Sequence, residues 1–416
     1  MKSLLSDILK RFDSEERSST ALITSILQAE DSFNAIEQRI DSAISEASES
    51  DARRRSDKRR SSIDGIPFGV KANIDVKGII TTSGARANKI PASEDSWMVN
   101  RLRELGAIPA LTTTMAEGAV GAVTLNAFTG GCKNPLDPSQ NAGGSSGGSA
   151  AVVSAGLLPF ALGSDTMGSV RIPAAYCEVV GYKPSRGALS NRGLVPLAKD
   201  FDAIGLLTSS VADLAQILEE ITGRKNLPSP PEKFRIVGST LTSRADQQGQ
   251  KAVENILKKL RCSADVVSTN FDPSEIRRAG LLVCELEGSM SLGLSGAEIQ
   301  EGYSPEFLSI MNYVRTLSPE KIAGAERKIS VFQEDTAALF ESIDVMVIPT
   351  TPHGAPGLIE NPPEAADLTA WVNIAGLAAI SIVDPKTHRS IQLISRSDET
   401  IISLALWLEE ALLTYS

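Results

Sequence analysis

Asp95–Leu111, DSWMVNRLRELGAIPAL, decides the class of fold, because it sets a helix and a strand back to back. Asp95–Leu105 has helical spacing, Gly106 halts it, and Ala107–Leu111 reads as a buried strand. The same alternation continues downstream. Ser149–Ala155 reads as a short helix, Leu158–Leu162 and Val179–Lys183 as strands, and Val211–Ile221 as a helix capped by Ser209 or Ser210. Past residue 225 come a strand at Phe234–Gly238, a helix at Gln248–Leu260 and a mostly helical stretch from Pro273 to about Ser342. Strands at Asp344–Pro349, Ala379–Val383 and Ser390–Ile394 then precede a closing helix, Glu399–Leu413. Upstream, residues 1 to about 50 read as two amphipathic helices, the second with Ile36, Ile40 and Ile44 on one stripe. The pattern predicts an α/β fold, one large domain with a central mixed, mostly parallel β-sheet covered by helices on both faces. Along the chain, 1–60 is an N-terminal helical segment and basic linker and 61–225 the core. The stretch 226–416 is the remainder of the same domain, with a helical insert and the substrate-pocket region.

The net charge of −10 argues against nucleic acid or an anionic membrane as the main partner. The one basic run, Arg53–Arg60 (RRRSDKRR), reads as a solvated linker or helix end. No uncharged apolar stretch reaches membrane-spanning length, and no export signal is evident, so a cytoplasmic protein is expected. Cys132, Cys177, Cys262 and Cys284 lie far apart, which disfavours a disulfide framework or a thiolate zinc site. The only histidines, His353 and His388, sit in no metal-binding motif. A hydrolase built on this chain is therefore expected to work without metal or cofactor, and with a base other than histidine.

Three segments could carry chemistry. Asn141–Ala151, NAGGSSGGSAA, reads as a flexible linker, a phosphate cradle or a nucleophile elbow. Apolar flanks disfavour the linker, the missing Gly-Lys-Ser/Thr ending disfavours the cradle, and the preceding NPLDPSQ disfavours the elbow. Gly163–Ala175, GSDTMGSVRIPAA, places Ser169 in a tight turn past a strand. There it is either a helix cap or a nucleophile beside a concavity of backbone N–H groups. Gly65–Gly78, GIPFGVKANIDVKG, puts Lys71 inside an apolar stretch, as a snorkelling surface residue or a buried neutral base.

Together and in this order the segments resemble the amidase signature family. The resemblance is strong from 65 to about 215 and recurs weakly at DVMVIPTTP (344–352), NIAGLAAIS (373–381) and IQLISR (391–396). It implies a Ser–cisSer–Lys triad. Lys71 would be the base, Ser145 the relay serine held by a cis peptide bond, and Ser169 the nucleophile. The backbone N–H groups of Thr166, Met167, Gly168 and Ser169 would form the oxyanion hole, with Ser146 and Asp165 as supporting residues. The implied activity is hydrolysis of a small amide, urea-like or ureido compound through an acyl-enzyme. Competing readings are the glutaminase subunit of a tRNA-dependent amidotransferase and a catalytically silent binding protein on the same scaffold. Partners would be the small-molecule substrate and either a second copy of the chain or a small accessory subunit.

The chain departs from the family pattern at Met167, where glycine is usual, at Glu178 after Cys177, and at Ala378, where proline is frequent. Ser318-Pro-Glu-Lys321 fits S-x-x-K but reads better as a helix cap, and His353 as a loop histidine rather than a pocket residue.

Overall fold

The computed structural model describes residues 3–225, 227–261, 265–297 and 299–413; Cys262 lies outside them. One eleven-stranded sheet runs through the molecule. In chain order its strands are β1 (Ile36–Arg39), β2 (Pro67–Lys71), β3 (Ile108–Thr113), β4 (Phe160–Asp165), β5 (Val180–Lys183) and β6 (Ala203–Thr208). They continue with β7 (Ile236–Ser239), β8 (Val266–Val267), β9 (Val345–Pro349), β10 (Ala378–Asp384) and β11 (Arg389–Ser395). The spatial order is β1-β3-β2-β4-β6-β5-β10-β11-β9-β7-β8. Strands from both halves of the sequence thus share one sheet. It is mixed: β3, β2 and β4 run parallel on one flank and β9, β7 and β8 on the other. The strands between are joined by antiparallel ladders.

Successive side chains of a strand face opposite ways, and the core divides accordingly. Val345 and Val347 belong to one apolar cluster, Met346 and Ile348 to the other, and Ile236 and Val237 divide in the same way. The first cluster is completed by helices that include α1 (Leu4–Asp13), α2 (Ser19–Gln28), α3 (Ala43–Arg55), α4 (Trp97–Glu104) and α5 (Gly147–Ser154). The second face is covered by later helices. Between α5 and these lie α6 (Arg171–Tyr176), α7 (Val211–Thr222) and α8 (Gln247–Lys259). The covering helices are α9 (Pro273–Ser291), α10 (Pro305–Tyr313), α11 (Pro319–Leu339) and α12 (Asp367–Ile374), and α13 (Asp398–Leu413) closes the chain.

Local signals explain most boundaries. The Ser96 side chain caps α4, and Gly106, at φ +88°, ends the turn after it. Ser210 caps α7, and Ser318 caps α11 with Pro319 at its first position, as expected. The expected helical stripe Ile36–Ile40–Ile44 is not formed. Asp31 accepts the N–H groups of Ala35 and Ile36, which steers the chain into β1 against β3 and leaves Ile44 exposed. Ala203–Thr208 is a strand that the alternation did not reveal. All six of its residues are buried between β4 and β5, so no polar face marks it. The basic run begins in the last turn of α3, where Arg53 grips Asp64 and Arg54 and Arg59 reach Asp13.

Candidate active site

Lys71 is the last residue of β2 and Asp165 the last of β4, and the two strands are parallel neighbours. Both side chains therefore emerge at one edge of the sheet, the carboxyl end where α/β folds place their ligands. Lys71 is fully buried. Its Nζ lies 2.7 Å from Ser145 Oγ and 2.8 Å from Ser164 Oγ, and Asn73 Nδ2 donates to the same Ser164 hydroxyl at 3.0 Å. Desolvation drives the amine down from its ordinary 10.5 to about 7, against the opposing pull of Asp165 and Asp202. The snorkelling alternative is thereby removed.

The glycine-rich segment is a buried turn, not a linker. Asn141 Oδ1 accepts the N–H groups of Thr124 and Gly143 and fastens its entry. A Cβ on Gly144 would meet the Val123 backbone at 2.5 Å, so only glycine lets the two chain segments approach. The Gly144–Ser145 peptide is cis. The Ser146 N–H donates to Ser169 O at 3.2 Å and its hydroxyl to Ser164 O at 3.2 Å. This ties the segment to the turn that carries Ser169.

That turn is organised by Asp165. Its carboxylate accepts the N–H of Gly168 at 2.7 Å and of Val170 at 3.1 Å, as well as Arg171 Nε at 3.1 Å and Asn373 Nδ2 at 2.9 Å. With Arg171 beside it, the carboxyl stays well below the usual carboxylate range despite complete burial. Arg171, equally buried, also donates to Gln392 Oε1 at 2.8 Å and Thr369 O at 3.1 Å. Of the four N–H groups expected to form an oxyanion hole, that of Gly168 is taken by Asp165. Thr166 Oγ1 donates to Asp202 at 2.6 Å, and burial pushes the Asp202 carboxyl up to about 6.

Thr166, Met167 and Ser169 open on a cavity of about 250 Å³. One wall is α9, through Leu281, Cys284 and Glu285, and residues 119–122 form another side. The Met167 thioether fits where α9 has Gly280 and touches Cys284 Sγ at 3.8 Å, so the departure from glycine at 167 is packed into the wall. Glu178 turns away and pairs with His388 at 3.1 Å. His353 stacks on Tyr176 and does not line the cavity. Among the described residues no three His, Cys, Asp or Glu side chains are placed to hold a metal ion.

The model of the family described as Amidase matches residues 18–279. The chain belongs to the amidase family. Among curated relatives, AtzE of Pseudomonas sp. (strain ADP), which is part of 1-carboxybiuret hydrolase, is 31% identical over 81% of this chain and 76% of that protein. A glutamyl-tRNA(Gln) amidotransferase subunit from Staphylococcus saprophyticus is 33% identical over 84% of this chain and 82% of its own. A crystal structure of an amidase superposes with a TM-score of 0.86 at 27% identity, covering 98% of this chain and 99% of that one. This amidase-family chain is accordingly a hydrolase of C–N bonds.

Sequence reasoning missed Ser164, Arg171, Asn373 and Gln392. Asn373 opens one of the weak late motifs and Gln392 is second in another, which was the available signal. Among the described residues no helix is long and apolar enough to cross a membrane.

Proposed function

We propose that this amidase-family chain hydrolyses the carboxamide-type C–N bond of a small amide, urea-like or ureido substrate through an acyl-enzyme on Ser169. The observation that carries the reading is a fully buried lysine at about 7 hydrogen-bonded to Ser145 at 2.7 Å. A neutral amine there accepts the Ser145 proton while Ser145 accepts that of Ser169, so Ser169 Oγ attacks the carbonyl carbon as an incipient alkoxide. The tetrahedral oxyanion is met by the backbone N–H groups of Thr166, Met167 and Ser169, since that of Gly168 is engaged. Collapse expels the nitrogen, which takes the proton back from Lys71 through Ser145. Water then attacks the ester by the same relay, releasing the acid and restoring Ser169. The cavity of about 250 Å³ favours a small acyl group.

A panel of amides, ureas and ureido acids should yield ammonia or amine with wild-type protein and none with Ser169→Ala. A fluorophosphonate should modify Ser169, and an adduct on another residue, or no turnover of any member, would overturn the reading. A second reading rests on the relatives' names, both of which describe subunits. Co-purification with small partner proteins, and glutaminase activity only in their presence, would favour it.

A further inference from the structure

α9 presents to the cavity a carboxyl group that the reaction above leaves unused. Glu285 is 9% exposed and lines the same cavity as Ser169. Its Oε2 has no hydrogen-bond partner among the described residues. Buried polar atoms in native proteins are almost always paired, so an unpaired carboxyl oxygen on a residue that lines a cavity stays uncompensated until the side chain turns it toward a bound group. The neighbouring cation does not fill it. Arg277 also lines the cavity, but it sits eight residues earlier, about 12 Å along the helix axis, and its Nε donates to Asp367 at 2.6 Å. The cavity lining is otherwise largely apolar, with Val120, Ile172, Leu197, Leu281 and Ile310, and Asn361 is a further polar side chain in it.

Desolvation lifts the Glu285 carboxyl to about 7, so both of its forms are accessible near neutrality. The acid offers one O–H donor beside one acceptor, and the carboxylate two acceptors. The edge of a planar –NH–CO–NH2 group matches either form, through C=O plus N–H or through two parallel N–H bonds. An ammonium group would use only the ionised form and would lose its hydration in an apolar wall.

We propose that Glu285 is the specificity-determining residue of the cavity, receiving a ureido or carboxamide group that the substrate carries in addition to the bond cleaved. The inference rests on the amide-hydrolase reading and narrows its substrate class to small molecules with two carbonyl–nitrogen groups.

Binding is measured by titration calorimetry on Ser169→Ala protein, so that turnover does not enter, with propylurea and propylammonium as probes. Propylurea should bind. Adding Glu285→Leu should weaken it at least tenfold, and adding Glu285→Gln, which keeps a donor beside an acceptor, less than threefold. Equal affinity with and without Glu285→Leu, or no propylurea binding to any variant, overturns the proposal. Tighter binding of propylammonium than of propylurea overturns the assignment of a neutral group. Equal losses in the Leu and Gln variants with lowered melting temperatures would mark a structural role and also overturn it. Failure of the amide-hydrolase reading appears separately, as wild-type protein that cleaves no amide and takes no fluorophosphonate on Ser169.

Discussion

Lys71 and Ser145, 74 positions apart in sequence, are joined by a 2.7 Å hydrogen bond between Nζ and Oγ, with both residues fully buried. The amine can act as a base only when unprotonated, and burial brings it to about 7. The kcat/KM of the enzyme should therefore rise with pH through about 7 and level off above. Lys71→Met keeps the volume, removes the base and should lower kcat/KM by about 10²–10⁴-fold. Steady-state kinetics across pH 5.5–9 (roughly one and a half units below to two above that pKa) decide it. A loss under tenfold, or a rate that falls as pH rises through this range, contradicts the assignment.

Asp202 is buried, accepts the Thr166 hydroxyl, and its negative charge favours the protonated form of Lys71. Asp202→Asn keeps an acceptor for Thr166 and removes the charge, so the Lys71 pKa should fall. The rise in kcat/KM should then begin at lower pH than in wild type. An unmoved profile, or a shift to higher pH, would show that this charge does not reach the amine.

Arg171 and Asp165 form an ion pair with both side chains fully buried. Arg171→Leu strands the carboxylate without its cation, for which about 3–5 kcal/mol of stability is at stake. Urea unfolding should show a loss of that size. A change below about 1 kcal/mol, well under that range, would mean that Asn373 and the backbone N–H groups suffice.

Gly168, at φ +124°, leaves no room for a side chain, because a Cβ would sit 2.1 Å from Thr369 Oγ1. That hydroxyl donates to Met167 O at 2.8 Å, so Gly168→Ala displaces the turn carrying Thr166, Met167 and Ser169. A displacement near 1 Å costs about 10²-fold in rate. Turnover should fall by about that factor while fluorophosphonate labelling of Ser169 slows in parallel. Full activity in the variant would mean the turn tolerates another path.

The helices and most strands were legible because their causes are local. Ser96, Ser210 and Ser318 cap the helices that follow them, and Gly106 stops one. Lys71, Ser145, Ser146, Asp165 and Ser169 stood in recognisable segments, and the structure gathers their segments at one edge of the sheet. Where local cues were weak, the reading failed. Ile36–Ile44 has helical spacing, yet Asp31 and the edge of β3 turn its first part into a strand. Ala203–Thr208 is buried throughout, and its apolar run gives no period to read.

The amino-acid order by itself determined the α/β alternation, the caps and the residue types able to do serine chemistry without histidine, since each depends on neighbours a few positions away. Only the tertiary structure decided that Lys71 is desolvated, that Asp165 claims the Gly168 N–H, and that Glu285 lines the cavity with one carboxyl oxygen unpaired. Burial and hydrogen-bond competition depend on which distant segments meet, and here those segments come from both halves of the chain.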